Sequence, residues 1–139
     1  MESFKQVEEQ SDAIRLVPGP WSHDAEYWLG RVDQDATLAD LKRQSEAGLC
    51  QVVYVERGGA VAGAVLLRID VTSSGPQGVM VAAAGALELM PVCMPYLEKM
   101  FQGVSSIRIH TARPGLVRKL TAMGYKPTEM VLRKEVVNG

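Results

Sequence analysis

The sequence predicts a single α/β domain with a mixed central β-sheet and helices on both faces. Runs of β-branched and apolar residues at 51–56, 60–71 and 78–84 have the length and composition of strands. Segments with helical spacing of apolar residues lie before and after these runs. The length of 139 residues fits one domain, 1–139, that is large enough for a substantial core.

The composition is that of an ordinary globular protein. Apolar residues make up 47% of the chain and charged residues 22%, and we expect a cytoplasmic location. The net charge of −1 predicts no binding of nucleic acid and no binding of an acidic membrane surface. We also expect no transmembrane helix and no signal peptide, because no apolar run is long enough and the stretch MESFKQVEEQ is polar.

Cysteine and histidine are too few for a disulfide scaffold or a zinc site. Cys50 and Cys93 each lie in an apolar stretch, which favours buried free thiols in a reducing compartment. His23 and His110 are the two histidines, and their spacing from the cysteines is not that of a metal site. We therefore expect no bound metal.

Two amphipathic helices are predicted before the first long strand. Residues 1–8 could form an edge strand or a short helix, and a turn cluster is expected at 17–20. Ser22 is the expected N-cap of the first helix, and Thr37 that of the second, which Gly48 ends. The apolar faces of the two helices comprise Ala25, Trp28, Leu29 and Val32, and then Leu38, Leu41, Ser45 and Leu49.

The strands that follow differ in their connections. Residues 51–56 and 60–71 flank Gly58-Gly59, a pair suited to a tight primed hairpin. Gly63 inside the second strand indicates a bulge or a close neighbour. A loop is expected at 72–76. Residues 78–84 are so uniformly apolar that both faces of this strand must be covered, as in a central strand.

The C-terminal part reads as helix, strand, helix, strand. A helix is predicted over 90–101 and a strand over 106–112. Pro114 begins the last helix and Gly124 ends it. Residues 130–136 are expected to be extended again, which would complete a βαβ crossover. The apolar face of the last helix comprises Leu116, Val117, Leu120 and Met123.

The end of that last helix carries a family resemblance. The word Met123-Gly124-Tyr125, between a helix and an expected strand, is similar to the leucine-glycine-phenylalanine word near the end of the GNAT superfamily of N-acetyltransferases. The element order from Gln51 onward is also that of a GNAT. The resemblance implies a divergent member with the GNAT-like acyl-CoA N-acyltransferase fold, which transfers an acetyl group from acetyl-CoA to an amine.

The resemblance also implies a place for acetyl-CoA. In the family it lies between two central parallel strands that splay apart, which by order are residues 78–84 and 106–112. Its pyrophosphate is held by backbone amides of the turn after the first strand, where orphan donors and a helix start attract anions. The cofactor-binding residues implied here are Val81, Ala82, Ala83, Ala84, Gly85, Ala86 and Leu87.

Several positions depart from the family pattern. The turn at 83–87 lacks the basic or amide side chain and the second glycine of the family's Arg/Gln-x-x-Gly-x-Gly/Ala motif. A helix that starts at Met90 leaves residues 85–87 as loop amides. Leu120 occupies the position of the family's proton-donating tyrosine, and Arg113 that of its asparagine, so neither role transfers.

Other residues could supply parts of the chemistry. His110, near the carboxyl end of the second splayed strand, is the candidate general base, and the alternative is a histidine that only hydrogen-bonds the backbone. Arg113 is an added cofactor-binding candidate that, with Arg68 and Arg108, could replace the missing phosphate donors. These arginines could instead pair with Asp70 and Glu129. Trp21 and Trp28 could line an acceptor pocket or could be ordinary core residues.

Two function classes remain open. The first is an N-acetyltransferase that acts on an unidentified small-molecule or protein amine, with a homodimer left open. The second is a GNAT-fold protein without catalysis that serves binding or assembly, and such divergent members resemble small accessory proteins of tailed phages and prophages. An enzyme would keep an open anion-sized spot at the amides of 83–87. An assembly protein would fill that spot with Leu87 and Met90 and expose an apolar patch elsewhere.

Overall fold

The structure, a computed structural model, describes residues 7–9, 14–31, 37–85, 89–111, 113–130 and 132–137. These residues form six strands and four helices. In chain order they are β1 (Val7–Glu9), β2 (Ile14–Gly19), α1 (His23–Leu29), α2 (Leu38–Glu46), β3 (Gln51–Arg57), β4 (Ala60–Thr72), β5 (Gly75–Gly85), α3 (Met90–Met100), β6 (Ser106–Ile109) and α4 (Pro114–Ala122).

The strands form one mixed sheet in the order β1-β2-β3-β4-β5-β6. Each neighbouring pair from β1 to β5 is antiparallel, whereas β5 and β6 are parallel and are connected through α3. The predicted mixed sheet is confirmed, and β5 is flanked by β4 and β6 as its apolar sequence requires.

Each face of the sheet carries two helices and one hydrophobic cluster. The α1/α2 cluster is built around Leu29, Leu41 and Leu66, all at most 1% exposed. The α3/α4 cluster is larger and includes Met94, Leu97 and Leu116. Coverage of both faces confirms the predicted layer arrangement.

Glycines at the β3–β4 hairpin behave as the sequence predicts. Gly58 and Gly59 have φ values of 60° and 86°, the left-handed conformations of a tight primed turn. A register shift between Val55 and Glu56 leaves Ala62 as an extra residue on β4. A Cβ atom at the adjacent Gly63 would lie 2.6 Å from the carbonyl oxygen of Ala84, so this position requires glycine.

The N-terminal prediction is partly wrong. The expected turn at 17–20 is instead mostly β2, where Pro18 pairs in register with Val53. Described pairing between β1 and β2 ends at Leu16, so Pro18 lies in an edge stretch that tolerates the missing N–H. Ser22 is at the N-cap of α1 without a side-chain capping bond, because its hydroxyl bonds Tyr54 instead. Thr37 caps α2 as predicted by accepting from the Asp40 amide at 3.2 Å.

Other local predictions also need correction. The expected loop at 72–76 is a tight turn, since β4 continues to Thr72 and β5 begins at Gly75. Leu49 lies beyond the end of α2 and is 63% exposed, so it takes no part in the helix's buried face. Val117 lies within α4 but at the margin of the buried stripe, and it is 37% exposed. Val32 and residues 1–6 lie outside the described residues.

The predicted last strand is wrong for the described residues. Positions 125–130 and 132–137 form no helix or strand, and Met130, Leu132 and Val136 are 85%, 86% and 74% exposed. The βαβ unit predicted over 104–134 therefore contains β6 and α4 but not its final strand. No helix among the described residues is long and apolar enough to cross a membrane.

Candidate functional site

A bulge in β5 determines the shape of the candidate site. Leu66 pairs with Ala82 and Leu67 with Met80, so Val81 is an extra residue on β5. A bulge bends its strand and increases the local twist. It also places Val81, Ala82 and Ala84 with the α1/α2 cluster, while Met80 and Ala83 pack with the α3/α4 cluster.

The strands β5 and β6 separate directly before this bulge. Their parallel pairing covers Gln77–Met80 against Ser106–Ile109, and β6 ends there. Strand β5 continues to Gly85 while paired only with β4. Beyond Met80, the β5 edge that faces away from β4 therefore has no strand partner among the described residues. Such backbone groups need hydrogen-bond partners, and a ligand or water can supply them.

A cleft with a cavity volume of about 40 Å³, here called the first cleft, lies at the carboxyl end of β5 on the α3/α4 side. Its wall is formed by residues of β3, β4 and β5, several of which have small side chains, and by residues of α3. The lining residues are Val55, Ala62, Gly63, Ala83, Ala84, Gly85, Leu89, Met90, Cys93, Leu97 and Arg113. Among the predicted cofactor-binding residues, the structure thus brings Ala83, Ala84, Gly85 and Arg113 together.

The remaining predicted cofactor-binding residues are not in this cleft wall. Val81 and Ala82 lie with the α1/α2 cluster because of the bulge. Ala86 and Leu87 lie outside the described residues. Cys93 and Leu97 also line the cleft and were not predicted as site residues, because inward-facing helix residues have the same pattern whether they border a core or a cleft.

Arg113 provides the cation of the first cleft. It is the N-cap residue of α4, and its carbonyl accepts from the Val117 amide at 3.0 Å. Its own amide donates to Thr111 Oγ1 at 3.2 Å. The residue is exposed and lines the cleft, so it brings a cationic side chain to the cleft wall.

His110 lies at the point where the two strands part. It follows Ile109, the last β6 residue in register with β5, and its side chain is exposed. It does not line the first cleft. Its proposed role as a general base remains a prediction. Leu120, at the position of the family's tyrosine, is 5% exposed in the α3/α4 cluster and has no proton to donate.

Arg68 and Arg108 form an ion-pair network with Asp70. Arg68 donates through Nε and Nη2 to the two carboxylate oxygens at 2.7 and 3.1 Å. Arg108 Nη2 donates to Asp70 Oδ2 at 3.2 Å. The hydrogen bond from Arg68 is the largest cause of the lowered pKa of Asp70, and the Arg108 charge adds to it. The predicted pairing with Asp70 is confirmed, and Glu129 is exposed.

A second cleft of about 780 Å³ lies where β2, α2, β3 and β4 meet. Trp21 lines it, and its indole nitrogen donates to Glu26 Oε1 at 3.3 Å. Trp21 and Trp28 both pack against the α1/α2 cluster, in agreement with the core interpretation, and Trp28 does not line this cleft. The other lining residues are Pro18, Gly19, Pro20, Ser45, Glu46, Gly48, Leu49, Cys50, Gln51, Leu67, Arg68 and Ile69.

The β4 residues in the walls of the two clefts pair with opposite ends of the β5 stretch that β6 leaves unpaired. Leu67, in the wall of the second cleft, pairs in register with Met80, the last β5 residue before the gap. Gly63 and Gly85, also register partners, lie in the wall of the first cleft. Five residues of extended β5 separate these points, a distance of about 17 Å at 3.3 Å per residue.

Both cysteines are buried free thiols, as predicted. Cys50 is 7% exposed and Cys93 is 5% exposed. Burial raises the pKa of Cys93 to about 11 and also raises the pKa of Cys50. Among the described residues, no group of three or more His, Cys, Asp or Glu side chains is placed to hold a metal ion.

Comparison with solved structures finds several N-acetyltransferases with a similar fold. The aminoglycoside N-acetyltransferase AAC(6')-Iy in complex with CoA matches with a TM-score of 0.58 and 13% identity, over 94% of this chain and 99% of that one. An aminoglycoside 6'-N-acetyltransferase from Acinetobacter haemolyticus has a TM-score of 0.61 and 10% identity over 89% and 99%. A ribosomal-protein-alanine N-acetyltransferase from Brucella melitensis has a TM-score of 0.57 and 14% identity over 91% and 100%.

These matches cover nearly the whole length of both chains, so this chain has the GNAT acyl-CoA N-acyltransferase fold. No protein-family profile matches the chain, and no curated protein sequence matches it. The named neighbours do not support the predicted link to phages.

Proposed function

We propose that this protein is an acetyl-CoA-dependent N-acetyltransferase that binds its acyl donor in the gap between β5 and β6. The observation that carries this proposal is the end of β5–β6 pairing at Met80 and Ile109, while β5 continues to Gly85. The pantetheine arm of coenzyme A has two amide groups. An unpaired strand edge offers donors and acceptors to those amides in the same way that it would to another strand.

The phosphate-bearing end of the donor would bind at the mouth of the first cleft. Ala83, Ala84 and Gly85 have small side chains, so a ligand can approach the backbone closely. Arg113 supplies a positive charge at the same place, which suits a pyrophosphate. The cavity volume of about 40 Å³ holds only a few water molecules, so the donor would lie mainly along the open gap.

The reacting end of the donor would then lie at the strand separation, beside His110 and one strand away from Leu67 in the wall of the second cleft. An extended arm from Gly85 to Met80 spans about 17 Å along β5. The second cleft, with about 780 Å³, is within the range of small-molecule sites and is our candidate for the amine acceptor. His110, exposed beside the gap, would accept the amine's proton directly or through water.

Acetyl-CoA should stabilise the folded protein if this proposal is right. A ligand that binds only the native state adds about 2.7 kcal/mol at 100-fold above its Kd, which would raise Tm by several degrees. Ala83→Phe, which fills the first cleft, should abolish the rise. Ala39→Phe, on the exposed side of α2, is the matched control and should retain it.

A turnover assay separates donor binding from chemistry. His110→Ala should lower kcat at least about 100-fold while donor affinity stays nearly unchanged. Equal losses in turnover and affinity would remove His110 from a catalytic role. Arg113→Ala should weaken donor binding, and more so at low salt because the lost contact is electrostatic.

The alternative is a GNAT-fold protein that serves binding or assembly without catalysis. Two observations favour it: Met90 lines the first cleft, and large apolar side chains are exposed near the C-terminus. Absence of any Tm shift at millimolar acetyl-CoA and CoA would overturn the enzyme proposal and support this one.

A further inference from the structure

Two arginines on the α1/α2 face of the sheet share a single carboxylate. Arg68 on β4 and Arg108 on β6 both pair in register with Val79 of β5, so the three residues form one row across three strands. Ile107 and Ile109 pack with the α3/α4 cluster, which places Arg108 on the opposite face of β6. With two strand spacings between them, the Cα atoms of the two arginines are about 10 Å apart.

The side chain of Val79 is covered by the arginines on either side of it. It is 4% exposed, yet it belongs to neither hydrophobic cluster of the described residues. Arginine stems cover apolar neighbours in this way while their charged ends stay near water. The guanidinium groups of Arg68 and Arg108 therefore lie at the surface of the sheet, with side chains that are 31% and 28% exposed.

The two arginines engage Asp70 unequally. Arg68 donates to it from Nε and Nη2 together, at 2.7 and 3.1 Å. Arg108 donates from Nη2 at 3.2 Å, and its Nε is buried without a hydrogen-bond partner among the described residues. A buried donor without a partner is costly, so an oxyanion that accepted from Nε and Nη2 of Arg108 together would improve on the present arrangement.

The charge of this group favours one further carboxylate. Two guanidinium groups and one carboxylate leave a net charge of +1 on side chains that are only about 30% exposed. A second carboxylate would neutralise this charge, whereas a phosphate monoester, with a charge of about −2, would leave a negative excess. A carboxylate also fits a guanidinium fork through two parallel hydrogen bonds.

Arg68 connects this group to the second cleft, where it and Glu46 are the charged residues among the described lining residues. A cleft wall with one charge of each sign suits a zwitterion, because each end of the ligand meets the opposite charge. His110 follows Arg108 by two positions and lies beside the strand separation. The Cα atoms of residues two apart are at most about 7 Å apart, so a small molecule whose carboxylate meets Arg108 can present its amine near His110.

We propose that Arg108, together with Arg68, binds the carboxylate of the acceptor, and that the acceptor is an amino acid. This inference rests on the proposed acetyltransferase function and names its acceptor class. The second cleft, with about 780 Å³, has room for an amino acid. In the reaction the amine nitrogen bonds to the acetyl carbon and the carbon–sulfur bond breaks. The proton lost from nitrogen passes through His110 to the departing sulfur, so the products are an N-acetyl amino acid and CoA.

A turnover screen on the wild-type protein tests the acceptor class. The common L-amino acids are each compared with their own carboxamide, which replaces the carboxylate by an uncharged group of similar size. At least one amino acid should be acetylated with a kcat/KM at least about 100-fold above that of its amide, because the amide cannot neutralise the arginine pair. Amides that are acetylated as fast as the acids, or a preference for O-phosphoethanolamine, would overturn the proposal.

Variants of Arg108 separate carboxylate binding from a structural role. Arg108→Ala should raise KM for the amino acid about 100-fold and leave kcat/KM for its amide nearly unchanged. Arg108→Lys keeps the charge but not the fork and should recover part of the loss. Arg15→Ala is the matched control, since Arg15 also pairs with a carboxylate on a neighbouring strand, that of Glu56 at 3.4 Å, and both constants should stay unchanged. Equal losses on acid and amide in Arg108→Ala would overturn the proposal.

Binding is also measurable without turnover, through the Nε–H signal of Arg108 in nitrogen–proton correlation spectra. The amino acid should shift this signal in the presence of CoA, and its amide should not. If acetyl-CoA raises Tm but no amino acid is acetylated, this inference is overturned and the proposed function stands. If acetyl-CoA does not raise Tm, the proposed function fails, and the Arg108 signal then decides carboxylate binding by itself.

Discussion

The two halves of β5 have the same kind of sequence but different surroundings. From Gln77 to Met80 the strand is paired on both sides, and Val79 and Met80 are 4% and 2% exposed. From Val81 to Gly85 it is paired only with β4, and Ala84 and Gly85 line a cleft. The comparison teaches that one strand can stabilise the domain at one end and open a site at the other, with a bulge as the boundary.

The largest expected difference between the halves is in the free energy of unfolding. Met80→Ala removes a fully packed side chain and should cost about 2–5 kcal/mol. Val81→Ala, one residue further, removes a smaller and only partly buried side chain and should cost about 1 kcal/mol. Urea denaturation of both variants measures the difference. Equal costs would show that the bulge does not separate a packed half from an open one.

A second difference concerns close packing in the paired half. A Cβ atom at Gly78 would lie 2.8 Å from the ring of Phe101, so Gly78→Ala should destabilise by about 1–3 kcal/mol through overpacking. Phe101→Leu should recover part of this loss in the double variant, because the ring is the group displaced. Additive effects of the two substitutions would contradict this cause.

The smallest expected effect concerns the ion pairs across the paired half. Arg68 on β4 and Arg108 on β6 meet at Asp70, so the network connects the two strands that flank β5. Arg68 and Arg108 lower the folded pKa of Asp70, so its stabilisation is present above the unfolded pKa of about 4 and is lost as the pH falls through the folded value.

Asp70→Asn should therefore lower the unfolding free energy by about 1 kcal/mol at pH 7, since these side chains are about 30% exposed. The cost should shrink as the pH falls below about 4. Thermal unfolding of both proteins across pH 3–7 provides the measurement. A difference that is constant with pH would rule out the carboxylate's charge as the cause.

The central part of the fold was predictable because its signals are local. Gly58-Gly59 fixes the hairpin between β3 and β4. The uniformly apolar run at 78–84 requires cover on both faces, which places β5 between neighbouring strands. Pro114 and Gly124 bracket α4 because each suits one end of a helix. These features follow from the backbone preferences of single residues.

The candidate site was only partly predictable because its geometry depends on register. Nothing in the run of alanines shows that Val81 is the extra residue, yet that residue decides which alanines pack on each face of the sheet. Pro18 suggested a turn because proline has no N–H to donate in a sheet. It is tolerated in β2 because the described pairing with β1 ends at Leu16, which depends on register and not on local sequence. A last strand was predicted over 130–136, whereas the described residues of this range are exposed and form no strand.

The buried sulfur of Cys93 has a consequence for any electrophile that enters the first cleft. The form of cysteine that attacks an electrophile is the thiolate. With a pKa of about 11, roughly one Cys93 side chain in ten thousand is ionised at pH 7. This thiol is therefore nearly inert toward thiol-directed reagents at neutral pH, although it lies in the wall of an open cleft.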